Sequence, residues 1–124
     1  MKPKFRAWSK VEKIMSDVKK IDFCNGEIDA RSFEETEIEE VVLMQSTDIK
    51  DKSGKEIFEF DVVTTTRFLG DDDFNDKVYT GVVKRMQGSW VIDTGKKVMS
   101  LWSQLPGEEN EVLGNMFENP NLVP

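Results

Sequence analysis

The sequence predicts a mainly β protein: apolar residues come in short runs rich in β-branched and aromatic side chains, and glycine-bearing turns separate them. From Val78 onward the pattern is a meander, VYTGVVKRM, SWVIDT, KKVMSLWSQL and EVLGNMFE, broken at Gln87-Gly88, Gly95 and Pro106-Gly107. With the run from Asp61 to Phe68 this makes five strands, and five short, bent antiparallel strands can roll into an SH3-like barrel without needing a helix. The expected architecture is an SH3-like five-stranded barrel over residues 46–124, preceded by an N-terminal β-rich arm over residues 1–45 that carries one short helical turn.

The elements follow in chain order. Phe5, Ala7 and Trp8 open a strand, with Pro3 placed where a strand start tolerates a missing donor. Lys13 to Val18 and Ile21, Phe23 lead into Asn25-Gly26, a hairpin signal because both positions accept positive φ. Ile28 to Phe33 returns. The helix formers of EETEIEE predict one helical turn before Val41. Val41 to Gln45 is a half-buried strand, Asp51-Lys52-Ser53-Gly54 is a turn, and Val62 to Phe68 is the next strand. Consecutive acids in GDDDFND repel one another and predict an exposed loop at residues 70–76. Asn119-Pro120-Asn121 cannot continue a strand and is expected along the surface.

Composition narrows the function classes. A chain of 124 residues is one ordinary domain by length, and eight Phe, three Trp and one Tyr are too many aromatics for a disordered chain. No apolar run approaches the roughly 20 residues that span a bilayer, and the basic start has no apolar signal-peptide core behind it. Cys24 is the single cysteine, so no intrachain disulfide forms; with no histidine to activate it, a catalytic thiolate is not expected. These features predict a cytoplasmic protein without membrane attachment. A net charge of −7 opposes attraction to a phosphate backbone. The charge is also uneven: residues 1–20 hold seven Lys or Arg against two acids, whereas residues 21–40 hold eight acids against Arg31.

Three segments then support a family. KPKFRAW at the start, LMQSTDIKDKSGKEIFEFDVV in the middle and EVLGNMFENPNL at the end resemble, in that order, the YopX family of bacteriophage and prophage proteins. The resemblance covers effectively the whole chain. It implies an SH3-type barrel in the carboxy-terminal part and a bacterial host cytoplasm, and no activity, cofactor or site residue comes with it. In the family Thr47 is usually followed by glycine and leucine, and the segment before the second strand usually reads glutamate, glycine, aspartate. Here Asp48 and Phe60 stand at those glycine positions, which bears on the turn geometry: aspartate accepts positive φ less readily than glycine, and phenylalanine hardly at all. Gly54 is expected to close a turn, Ile57 and Phe58 to supply core surface, and Asp61 to bond backbone donors at the start of the barrel.

Several clusters invite chemistry. Asp71, Asp73 and Asn75 match the first three ligand positions of a calcium loop, but Asp76 replaces its glycine and Val82 its bidentate glutamate, so no metal site is assigned. Glu34, Glu35, Glu37, Glu39 and Glu40 form an acidic row that is either solvated or a mimic of phosphates facing a basic groove on a host protein. Lys84, Arg85, Lys96 and Lys97 flank Trp90 and precede Trp102, the ingredients of a single-strand nucleic-acid surface, opposed by the overall charge. Paired-carboxylate hydrolysis is the weakest alternative, since sequence order cannot make two acids converge. The leading expectation is a non-enzymatic protein-interaction module without cofactor that binds a phage or host protein and can form a homo-oligomer, with nucleic-acid binding as the alternative.

Overall fold

The computed structural model describes residues 4–33, 36–67, 77–102 and 107–124. The chain divides into two compact units, Met1–Ser46 and Thr47–Pro124. In the first unit, strands β1 (Phe5–Ser9), β2 (Met15–Asp22), β3 (Glu27–Ala30), β4 (Thr36–Glu37) and the leading part of β5 (Val41–Lys50) form an antiparallel sheet in the order β4-β3-β2-β1-β5. Ala7, Ile28, Ala30, Phe33 and Val41 form its core, with Val18, Ile21, Ile38 and Leu43 packed around them. The helical turn expected in the acidic stretch is a 3-10 turn over Ile38–Glu40.

Two turns in this unit differ from the sequence expectation for local reasons. Strand β2 begins at Met15 rather than Lys13, because Lys13 sits at φ 60 in a tight turn where its N–H donates to Ser9 O at 2.9 Å. At Asn25-Gly26 only Gly26 takes positive φ, and the register Asp22↔Glu27 leaves a four-residue turn rather than a two-residue one. The Asp22 carboxylate accepts N–H bonds from Cys24 at 3.1 Å and Asn25 at 3.2 Å, so a side chain does what a second left-handed residue would otherwise do.

The second unit contains the rest of β5, β6 (Glu56–Phe58), β7 (Asp61–Arg67), β8 (Lys77–Met86), β9 (Ser89–Asp93), β10 (Val98–Ser100) and β11 (Glu109–Asn115). Five of them form an antiparallel sheet in the order β10-β9-β8-β7-β11 over a core of Ile57, Val63, Val83, Ile92 and Leu101. The β8–β9 connection is the two-residue turn that Gln87-Gly88 predicts: φ is 51° at Gln87 and 81° at Gly88, and Met86 pairs with Ser89. Gly81 permits β9 to press onto β8, since a Cβ there would fall 2.6 Å from both Asp93 O and Ile92 Cγ2.

The fold is mainly β, as expected, but the closed five-stranded barrel is not formed among the described residues. The outer strands β10 and β11 share no backbone ladder. β10 is three residues long and pairs along β9 alone, while β11 pairs with β7. Side chains bridge the two ends instead. Asn110 Nδ2 donates to Leu101 O at 3.0 Å, and Arg67 Nη2 donates to Ser100 O at 2.7 Å while its Nε donates to Thr65 Oγ1 at 2.7 Å.

The positions where Asp48 and Phe60 replace glycine both lie in the left-handed region, at φ 62° and φ 67°. Around Asp48, Thr47 holds the bend: its Oγ1 accepts Ile49 N–H at 3.1 Å and donates to Ile57 O at 2.7 Å. At Phe60 the backbone is fixed by its N–H to Val83 O at 2.7 Å and by Met116 N–H to its carbonyl at 3.0 Å, and its ring meets Phe117 edge-on at 5.8 Å. Asp61, 1% exposed, accepts Phe58 N–H on Oδ2 at 2.8 Å, the role expected of it.

Candidate functional site

Of the basic and aromatic residues singled out in sequence, Lys84, Arg85, Trp90, Lys96 and Lys97 come together on the β8–β9 hairpin and the turn after it, whereas Trp102 follows β10; Lys84, Arg85 and Lys97 are each engaged within the chain. Arg85 pairs with Trp90 across the strands, with its Cζ 5.5 Å from the ring centroid. Lys97 Nζ lies 4.6 Å from the centre of the Tyr79 ring. Lys84 Nζ bonds Asp93 Oδ2 at 3.0 Å, and Asp93 is held below the ordinary carboxylate range by the Gly95 N–H and by Lys84. Lys96 is exposed in the β9–β10 turn, where its N–H reaches Thr94 Oγ1 at 3.4 Å. Trp90 is half-buried against the core of Ile57, Val63, Val83, Ile92 and Leu101. Stacking a base on Trp90 would have to displace Arg85 from its face.

The acidic row is dispersed over two elements. Glu37 ends β4 opposite Glu27, and Glu39 and Glu40 lie in the 3-10 turn, where their backbone carbonyls accept Lys10 Nζ at 3.1 Å and Lys10 N–H at 2.9 Å. All three side chains are exposed. Glu34 and Glu35, together with the acidic loop Asp71, Asp72, Asp73, Asn75 and Asp76, lie outside the described residues. Among the described residues, no group of three His, Cys, Asp or Glu is placed to hold a metal ion. Among them, no helix is long and apolar enough to cross a membrane.

A different place in the second unit has the shape of a binding site. A cleft of about 240 Å³ is lined by Ile49, Leu101, Trp102 and Asn110 together with the charged Lys50, Asp51, Lys52, Glu108 and Glu109. Its floor is rigid. Asp51, 8% exposed, accepts Ser53 and Lys55 N–H bonds on Oδ1, both at 2.9 Å, and the Val112 N–H on Oδ2 at 3.0 Å. Burial pushes the Asp51 carboxyl up, but those three donors and the Lys55 charge outweigh it and hold the group below its ordinary value. Lys52 N–H donates to Asn110 O at 2.9 Å, so the Asp51–Gly54 turn lies along the outer edge of β11 and occupies it. Lys52 Nζ bridges Glu111 at 3.3 Å and Glu109 at 3.8 Å.

Trp102, immediately after β10 and Leu101, is 58% exposed beside this cleft, and no cation or ring among the described residues lies against it. Asn110 is 9% exposed; its Nδ2 is bonded, while its Oδ1 has no partner among the described residues. Sequence reasoning missed Asn110 and the cleft. The run Asp51-Lys52-Ser53-Gly54 marks Asp51 as a turn residue in sequence, but its bond to Val112 spans 61 positions and leaves no local trace.

Compared with models of protein families, the chain matches the YopX protein family over residues 4–124. It belongs to the YopX family. The crystal structure of protein EF1440 from Enterococcus faecalis is similar at 25% identity and a TM-score of 0.58, covering 100% of this chain and 99% of that one. The crystal structure of protein yopX from Bacillus subtilis is similar in fold, at 18% identity and a TM-score of 0.59, covering 98% of each chain. No curated protein matches.

The segments that resemble the YopX family have structural work. KPKFRAW contains Phe5 to Trp8 of β1, and the central segment contains the Thr47 bend, the Asp51 turn and Asp61. In the closing segment Asn115 Oδ1 accepts Phe117 and Glu118 N–H bonds at 3.0 and 2.8 Å, and Asn119 Oδ1 returns to Asn115 N–H at 3.2 Å. Gly114 leaves the space that Asn119 fills: a Cβ there would overlap the Asn119 amide. Leu101, Trp102 and Asn110 lie outside all three segments.

Proposed function

We propose that the protein is a non-enzymatic accessory protein of a phage or prophage, acting in the cytoplasm of its bacterial host as a protein-interaction module whose binding face is the Trp102 cleft. The observation that carries this reading is an exposed tryptophan beside a preformed cleft. Exposed tryptophan is uncommon on a surface that needs only solubility, and buried tryptophan is a leading source of affinity at protein interfaces. The edges of the second unit's sheet support recognition by side chains rather than by strand addition: Arg67 and Asn110 take the carbonyls at the end of β10, and the Asp51–Gly54 turn takes part of the edge of β11. We further read the sheet as an SH3-like barrel in which those side-chain bonds replace the missing ladder; the return of β11 to lie beside β7 supports that topology.

The test is affinity capture from bacteria carrying the prophage, with the full chain and its Trp102→Ala variant as paired baits. The expected result is a partner protein retained by the native chain and lost by the variant. Recovery of the same proteins by both baits overturns the cleft as the binding face. Titration with single-stranded oligonucleotides at low salt is expected to give no polarisation change, and saturable binding there would move the protein to the nucleic-acid class.

A further inference from the structure

We infer that Asn25 is a deamidation site, the most labile asparagine among the described residues, and that the Asp22 carboxylate restrains it. The reaction needs no enzyme. The backbone nitrogen of the following residue loses its proton and attacks the asparagine Cγ; ammonia leaves with Nδ2, a cyclic succinimide forms, and water opens it at either carbonyl to give aspartate or isoaspartate. Because the attack is intramolecular, local geometry decides its rate. It demands an exposed asparagine, a following N–H that is not held in a hydrogen bond, and no side chain crowding that nitrogen.

Asn25 meets all of these demands. It is exposed in the β2–β3 turn, and Gly26 N–H makes no hydrogen bond among the described residues. Gly26 brings no Cβ, and beyond its chain neighbours no atom lies within 4 Å of where one would stand. The other described asparagines each fail a demand. Asn110 and Asn115 are 9% and 6% exposed; Glu111, after Asn110, lies in the β7–β11 ladder, and the N–H of Met116, after Asn115, is held by Phe60 O at 3.0 Å. Asn119 precedes Pro120, which has no N–H. Asn121 precedes Leu122, whose N–H donates to Asn119 O at 3.0 Å.

Asp22 slows this reaction, and the turn transmits its outcome. Asn25 Nδ2 donates to Asp22 Oδ2 at 2.8 Å, which holds the amide in one orientation, whereas attack needs it free to swing toward Gly26 N. That bond, with the N–H bonds of Asn25 and Cys24, keeps the Asp22 carboxyl below its ordinary range. Conversion replaces the amide donor with a second carboxylate beside Asp22, so the bond is lost and like charges meet. Isoaspartate goes further, because it inserts Cβ into the backbone immediately before Gly26, whose carbonyl accepts Ile38 N–H at 2.8 Å. The added length shifts that carbonyl, and the 3-10 turn Ile38–Glu40 loses its tie to the hairpin.

The experiment incubates the full chain in mildly alkaline buffer and follows each asparagine by peptide mapping, with electron-transfer fragmentation to tell aspartate from isoaspartate. The expected result is conversion at Asn25, mostly to isoaspartate, at least about tenfold faster than at Asn110, Asn115, Asn119 or Asn121. Asn25→Gln abolishes it, since the longer side chain closes a ring far more slowly. Asp22→Ala frees the amide and raises the rate about threefold. In the separated isoaspartate form, hydrogen exchange at Ile38 N–H quickens about fivefold while that at Ile92 N–H in the second unit is unchanged. No conversion at Asn25, or conversion at one of the other four as fast, overturns the site. An unchanged or slower rate in Asp22→Ala overturns the restraint, and native exchange at Ile38 in the isoaspartate form overturns the link to the 3-10 turn.

Discussion

Trp90 and Trp102 sit twelve positions apart on the same small unit and are treated in opposite ways. Trp90 is half-buried on the core with Arg85 over its remaining face, and its neighbours Lys84 and Lys97 are spent on Asp93 and Tyr79. Trp102 lies 58% exposed next to a cleft lined by Asn110 and by Asp51, whose carboxylate is held by three backbone N–H bonds. A ring covered by its own chain is part of the scaffold. A ring left open beside a cleft has no such cover among the described residues. The lesson is that tryptophan beside basic residues in sequence marks a binding surface only where the cations are not already taken.

The sharpest way to break this comparison is to remove each ring. Trp90→Ala is expected to destabilise the protein by about 2–4 kcal/mol, somewhat less than for a fully buried ring, read as a lower midpoint in urea unfolding. Trp102→Ala is expected to change stability by less than about 0.5 kcal/mol. Equal losses would make the two tryptophans the same kind of residue.

Asp51→Asn tests whether the cleft floor is structural, with an expected loss of about 1–3 kcal/mol, because one of the amide's two ends is a donor and cannot accept the N–H bonds that Asp51 collects from Ser53, Lys55 and Val112. The same residue sets a pH dependence. Its folded pKa lies below its ordinary value of 3.8, so the unfolded chain binds the proton first and the stability it contributes, fully present above that value, is lost as pH falls through the folded pKa. Acid titration of the unfolding midpoint should show a shallower loss below that pH in Asp51→Asn than in the native chain.

Much of this was legible in sequence, for reasons that can be located. The strands are readable because β-branched runs alternate with turn residues whose chemistry is local: Gln87-Gly88 forms the two-residue hairpin, and Gly54 closes the turn at φ +85. Asp48 and Phe60 were recognisable as departures from a glycine pattern, and both adopt the conformation that glycine would favour. The side-chain bridge in place of a closed barrel was not legible, since it depends on Asn110 and Arg67 reaching carbonyls 9 and 33 positions away. The basic cluster was visible as composition, but its internal pairing with Trp90, Tyr79 and Asp93 is set by cross-strand register, which the sequence does not spell out.

Smaller effects sharpen the same contrast. Asp48→Gly relieves a left-handed backbone close to the cleft residue Ile49 and should stabilise by about 0.5–1 kcal/mol, measured as a raised unfolding midpoint. Arg85→Ala uncovers Trp90 and should cost about 0.5–1 kcal/mol, the range of an exposed cation–π pair.

Arg85→Ala and Trp102→Ala also give the most direct comparison when the captured partner is titrated against the native chain and each variant. The account predicts that Trp102→Ala weakens binding by at least about tenfold while Arg85→Ala leaves it unchanged. Loss of binding in Arg85→Ala with full affinity in Trp102→Ala would contradict it and place the interface on the β8–β9 hairpin.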